Sequence, residues 1–158
     1  AAAEHLITSY ANTYKTQFII VRPSNNFGPR QHGEKFLPTI IRSLSEGKKI
    51  PIYGDGKNVR DWLFVKDNVK IIYDLWIKSE RNQIYNISLE NEKQNLEIVS
   101  EVVSIMQRDL LESISFVEDR PGHDFRYSIN NQKIKDLGLV TEVDFQENLR
   151  ETVISLVK

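Results

Sequence analysis

The chain has 158 residues, the size of one ordinary domain, with 21 Lys plus Arg against 22 Asp plus Glu and a formal net charge of −1. That balance excludes a generic nucleic-acid binder, which needs a basic excess to displace counterions. With 40% hydrophobic and 27% charged residues of mixed sign, the chain is globular rather than disordered. There is no cysteine, hence no disulfide framework and no thiolate metal site, and His5, His32 and His123 lie too far apart for a structural zinc site. No apolar run approaches the roughly 20 residues that span a bilayer, and no signal peptide is visible. The expectation is a soluble cytoplasmic domain with no metal, no membrane and no nucleic-acid partner.

The first predicted helix is already under way at residue 1, with Ala3, Leu6, Ile7, Tyr10, Ala11 and Tyr14 on one face. No Ser, Thr, Asp or Asn precedes it as a cap, so the chain is expected to begin inside a helix of a longer protein. The apolar run Phe18-Ile19-Ile20-Val21 within residues 17–22 reads as a buried strand of a parallel sheet. Pro23 ends it, and Ser24-Asn25-Asn26-Phe27-Gly28-Pro29 reads as an irregular loop. Phe36, Leu37, Ile40, Ile41 and Leu44 mark a helix with Pro38 in its first turn and Gly47 at its end.

Two strands follow, at 50–53 and 59–65, with the Gly54-Asp55-Gly56 turn between them. Asp67 is the expected cap of the next helix, with Val69, Ile72, Tyr73 and Trp76 as its buried stripe. Residues 84–88 form another strand, and Asn95 precedes a helix that buries Leu96, Val99, Val103, Met106 and Leu110. A strand at 114–118 and a short helix at 132–137 stopped by Gly138 come next. The final helix starts at Asp144, with Glu147 completing a capping-box pattern and Phe145, Leu149, Val153 and Leu156 facing inward. Alternating strands and helices assign the chain to the α/β class.

Three loops carry candidate chemistry. Ser24-Asn25-Asn26-Phe27-Gly28-Pro29 follows a parallel strand at its carboxyl end, where ligands of open α/β sheets bind; its two amides suit a cofactor or sugar, or form an Asx-type turn. In residues 59–65, alternation puts Arg60, Trp62 and Phe64 on one face and Val59, Asp61, Leu63 and Val65 on the other. An Arg beside aromatics suits a bidentate anion such as phosphate, or equally an exposed ion pair. In Asp119-Arg120-Pro121-Gly122-His123-Asp124, the Pro-Gly turn can bring Arg120 and His123 to one ligand, or is simply solvated. No Gly-rich phosphate loop is present, since Gly54-Asp55-Gly56 is too short and is not followed by a helix.

Taken in order, Arg22-Pro23-Ser24-Asn25-Asn26-Phe27-Gly28-Pro29, Glu34-Lys35-Phe36, Ile52-Tyr53-Gly54-Asp55-Gly56, Val59-Arg60-Asp61-Trp62 and the 119–124 loop resemble the carboxyl-terminal half of the dTDP-glucose 4,6-dehydratases. These belong to the extended short-chain dehydrogenase/reductase group, the NAD-dependent epimerase/dehydratases. The resemblance spans nearly the whole chain. It implies the last part of a Rossmann-like NAD-binding fold joined to a small α/β substrate-binding domain. It implies Asn26 beside the nicotinamide of NAD. It implies a sugar-nucleotide site built from Asn25, Lys35, Phe36, Pro51, Ile52, Tyr53, Arg60, Asn95, Arg120 and His123, the basic members near the diphosphate. Bottom-up chemistry agrees, because a diphosphate needs several cations and directional donors.

In such enzymes the implied reaction is redox-neutral: hydride leaves C4 of the glucosyl group for NAD, water is eliminated across C5–C6, and the hydride returns to C6. The family's cofactor fingerprint and its catalytic Tyr-x-x-x-Lys pair are expected upstream of Ala1, so this chain alone is expected to be inactive. The family usually forms a homodimer through a bundle including the opening helix, with Leu6, Tyr10 and Tyr14 at the contact. Departures from the usual pattern are Phe27 and Phe64 for Tyr, Ser88-Leu89 for Gly-Gly, and Asn68 for a frequent His. The alternatives are a UDP-sugar epimerase or decarboxylase of the same fold, and a non-catalytic sugar-nucleotide binding module.

Overall fold

A computed structural model describes residues 1–140 and 142–157. Helix α1 (Ala2–Tyr14) leads to strands β1 (Ile19–Pro23) and β2 (Asn25–Phe27), then α2 (Phe36–Ser45), β3 (Ile50–Tyr53), β4 (Val59–Phe64) and α3 (Val65–Lys78). After these come β5 (Gln83–Ile87), β6 (Glu92–Gln94), α4 (Asn95–Ile105), α5 (Leu110–Ser113), β7 (Ile114–Val117), β8 (Arg126–Tyr127), α6 (Gln132–Asp136) and α7 (Phe145–Leu156). The α/β class read from the sequence holds.

Pairing is mostly parallel: β1 with β5, β3 with β7, and β4 with both β2 and β8, while β6 lies antiparallel on β4. β3 and β4 do not pair with each other, so the glycine turn between them is a crossover and not a hairpin. Gly56 sits there at φ +73°, and a Cβ would meet Ile52 Cγ2 at 2.8 Å. Only glycine relieves both the backbone strain and the clash.

β4 divides the molecule. Successive side chains on a strand point to opposite faces, and Trp62 and Phe64 enter a large core with Phe27, Leu37, Ile41, Ile50, Ile98, Val102, Leu149 and others from α2, α4 and α7. Leu63, on the reverse face, joins a smaller core with Ile71, Leu75, Tyr85, Ile87 and Ile134 around the β1–β5 pair. The final helix starts as the sequence implies: Asp144 accepts the Glu147 N–H at 3.0 Å, and Phe145, Leu149 and Val153 are buried. Helix α6 and the positive-φ Gly138 after it are likewise as expected.

Several expectations are corrected. Residues 25–27 are not irregular loop but strand β2, because Asn25 pairs with Trp62 and Asn26 with Leu63. Helix α3 starts directly at Val65, and Asp67 does not cap it but accepts from Asn148 Nδ2 of α7. Its buried residues are Asn68, Ile71 and Leu75, whereas Val69, Tyr73 and Trp76 are exposed. Both stripes have helical spacing, and the absence of any loop between β4 and α3 decides which one faces the β1–β5 pair. In α4 it is Ile98, Val99, Val102 and Val103 that are buried, with Leu96, Met106 and Leu110 only partly so. Helix α1 buries none of its residues and is tied to β1 through the two-pronged Arg22–Glu4 ion pair.

Candidate functional site

Parallel pairing explains how distant loops meet. In the β3–β7 pair Tyr53 lies opposite Val117, so the segments after both strands leave at the same end. The Gly54 N–H donates to the Val117 carbonyl at 3.0 Å, and Asp119 packs against Gly54. The 119–124 loop is then pulled over the start of β4: the Val59 N–H donates to Phe125 O at 2.7 Å, and Arg60 donates to Asp124 O at 2.9 Å and to Val59 O at 2.7 Å. Parallel register does the same for β2 and β4, putting Asn25 beside Trp62 on one face.

The result is an open cleft of about 510 Å³, within the usual size for small-molecule sites. Asn25 enters from β2, Lys35 and Phe36 from the start of α2, Pro51 and Tyr53 from β3, Arg60 from β4, Asn95 from the start of α4, and Arg120 and His123 from the 119–124 loop. Nine of the ten positions named for the sugar-nucleotide site thus face one space. Ile52 is the exception: strand alternation turns its side chain off the cleft and into the large core, where it is 2% exposed. Asn26 also lies off the cleft, on the reverse face of β2, where its side chain bonds to Ser24 O and Asn68.

Glu34, Thr39 and Trp62 line the cleft as well, beyond the positions named from the sequence. Trp62 could have been found from its period-2 partnership with Arg60. Glu34 and Thr39 carry no such signal, since they reach the cleft only because α2 begins there. A depression of equal size behind α2, lined by Arg30, Pro38, Arg42 and Ser155, contains none of the predicted residues.

Cations dominate the cleft. Lys35, Arg60 and Arg120 converge there, and Lys35, the residue before α2, leaves the helix N-terminus without a side-chain cap. Fixed cations and free helix N–H groups both favour an anion. His123 Nδ1 lies 2.7 Å from Asp119 Oδ1. That bond, helped by the Arg120 backbone N–H and opposed by burial, holds the Asp119 carboxyl below the ordinary carboxylate range. With Nδ1–H donating to the carboxylate, His123 presents Nε2 for other partners. Arg126 is not free, because Glu92 holds it in a bidentate pair at 2.7 and 2.6 Å.

The reverse face of β4 carries Asp61, fully buried beside Ser24 and Ser88, and neither carboxylate oxygen has a well-aligned partner among the described residues. Burial pushes its carboxyl above the ordinary value, outweighing the pull of the Ser88 and Ser24 hydroxyls. A Tyr-x-x-x-Lys spacing occurs once, at Tyr53 and Lys57, but on a turn rather than a helix, and Lys57 pairs with Asp55 at 3.0 Å. No group of three or more His, Asp or Glu able to hold a metal occurs among the described residues, and no helix there is long and apolar enough to cross a membrane.

Comparison with known proteins places the chain in a family. The dTDP-glucose 4,6-dehydratase of Neisseria gonorrhoeae is 40% identical over 97% of this chain and 47% of its own length. The crystal structure of dTDP-glucose 4,6-dehydratase from Bacillus anthracis in complex with NAD superposes with a TM-score of 0.87 at 39% identity, covering 98% of this chain and 49% of that one. The UDP-glucose 4-epimerase of Thermotoga maritima superposes as well, with a TM-score of 0.88, but at 23% identity it attests the fold alone. The chain spans about half the length of the relatives it matches. The sequence profile of the NAD dependent epimerase/dehydratase family matches residues 1–88, and the chain belongs to that family.

Proposed function

We propose that residues 1–158 are the carboxyl-terminal, sugar-nucleotide-holding part of a dTDP-glucose 4,6-dehydratase, which turns dTDP-glucose into dTDP-4-keto-6-deoxyglucose and water. The observation that carries this reading is the convergence of Arg60, Arg120, Lys35, Asn25, Asn95 and His123 from separate segments on one cleft. Identity of about 40% to named dehydratases along nearly the whole chain supports the choice within the family.

In this reading the guanidinium groups of Arg60 and Arg120 grip the diphosphate, since an Arg fork matches phosphate oxygens in pairs. Tyr53 offers an aromatic face with a polar tip to the nucleoside, and Asn25 and Asn95 supply directional donors and acceptors. Anchoring far from the reacting carbon positions C4, because remote binding energy is used at the reacting centre. Within this chain Asn26 is the residue assigned to NAD, and its amide can both donate and accept. The bound nicotinamide would supply hydride uptake and return. The same reading implies a cytoplasmic homodimer, with the exposed Leu6, Tyr10 and Tyr14 of α1 at the contact.

The test joins this chain to an upstream half carrying the cofactor fingerprint and the catalytic Tyr-x-x-x-Lys pair. The joined protein, loaded with NAD, is expected to form the 4-keto product from dTDP-glucose, while residues 1–158 alone bind the sugar nucleotide without turning it over. Absence of a 4-keto product from the joined protein would remove the dehydratase reading.

A further inference from the structure

Behind the cleft, on the reverse face of β2, side-chain amides form a chain whose orientation is set from one end. Asn26 Nδ2 donates to the Ser24 carbonyl oxygen at 3.0 Å. A carbonyl oxygen only accepts, so the Asn26 amide cannot be reversed, and its Oδ1 faces α3. There Asn68 Nδ2 donates to that Oδ1 at 2.8 Å. The Asn68 amide is fixed in turn, and its own Oδ1 is buried with no donor among the described residues. Gln31 Nε2 adds a third hold by donating to the Asn26 backbone oxygen at 2.9 Å.

Asn68 is 8% exposed, and a buried acceptor without a donor is a standing cost to the fold. The residue is also one at which the sequence departs from the pattern it otherwise resembles. We infer that Asn68 is a positioning residue: by donating to Asn26 Oδ1 it locks the Asn26 amide in one orientation, with one Nδ2 hydrogen left for the nicotinamide end of the dinucleotide. This rests on the assignment of Asn26 to NAD made above. A group held in place before the ligand arrives loses less on binding, and small misorientations at a reacting centre are costly.

The test uses the joined protein described above, with Asn68→Asp, Asn68→Ala, Asn26→Ala and the double variant Asn26→Ala/Asn68→Ala. Affinity for NAD, kcat, KM for dTDP-glucose and the thermal midpoint are measured for each. Asn68→Asp keeps the shape but loses the donor, so it reads the hydrogen bond even where Asn68→Ala fails to fold. The expected result is a loss of about tenfold in NAD affinity or kcat for each Asn68 variant. KM for the sugar nucleotide should stay within about twofold, and the double variant should be no worse than Asn26→Ala, as expected for residues acting through one another. Asn68 variants that lower only the thermal midpoint, or a double variant whose losses add, would reduce Asn68 to a stitch between α3 and β2 and overturn the inference. An Asn26→Ala variant with parental NAD affinity and kcat would instead remove the cofactor role of Asn26, and the inference with it.

Discussion

The two faces of β4 support cores of very different completeness. Trp62 and Phe64 point into a core enclosed by α2, α4, α7 and the β3–β7 pair, and the cleft opens on that side. Leu63 points into a core built on only two paired strands, with α3 and α6 against it. Near that smaller core α1 buries nothing, and α3 leaves Val69, Tyr73, Trp76 and Ile77 exposed. The cleft therefore stands on a well-packed base, whereas the apolar faces of α1 and α3 are amphipathic without being covered. An amphipathic pattern reports that a face gains from being covered, and tertiary context decides what covers it.

Four experiments break or sharpen that contrast. The largest effect is expected at Leu149, fully buried in the large core. Leu149→Ala should cost about 2–5 kcal/mol by urea denaturation, whereas Leu6→Ala on α1, measured on the monomer, should stay within about 0.5 kcal/mol. Equal losses would erase the distinction between the two regions. Next, Arg60→Ala and Arg120→Ala should each weaken dTDP-glucose binding by about 1.5–3 kcal/mol, the range for hydrogen bonds to charged groups, read by titration calorimetry. Unchanged affinity in both would dissociate the cleft from the diphosphate.

A smaller effect tests how α7 is anchored to the large core. Asp144→Ala removes the acceptor of the Glu147 N–H and should lower stability by about 1 kcal/mol in the same denaturation assay. The gentlest expected effect is a slope. Burial raises the Asp61 carboxyl above its ordinary 3.8, so the folded state holds that proton more tightly than the unfolded chain. The stability from this linkage is fully present below the ordinary value and is lost as pH rises through the raised one. Asp61→Asn should flatten that acid-side slope in denaturation curves taken across pH. A variant that keeps the parental slope would show that Asp61 is ionised in the fold.

Much of the candidate site was legible in the sequence through the resemblance, which named positions in several separate motifs, while residue chemistry alone left each loop open between a ligand site and a solvated turn or ion pair. Arg60 with Trp62, Tyr53 beside the glycine turn, and Arg120 with His123 flanking Pro-Gly all lie on segments that line the cleft. Ile52 sits between two cleft residues but turns its side chain into the core, and a motif does not say which strand face each member occupies. Asn58 was overlooked altogether. It is buried and donates from Nδ2 to Asp124 O at 3.4 Å, and its carbonyl takes the Asn95 N–H. Contacts made 66 residues away along the chain leave no local mark.

Local chemistry was enough to determine the α/β alternation, the Asp144 cap, the stop at Gly138 and the polar loops, since capping, φ preference and periodicity act within a few residues of one another. Only the folded chain decided that residues 25–27 form a strand, that α3 buries Ile71 and Leu75 instead of Val69 and Trp76, and that Asn26 and Asn25 part company across β2. Those outcomes depend on register between distant strands and on the rigid step from β4 into α3. Register is chosen by the summed burial of both partners, which no single segment contains.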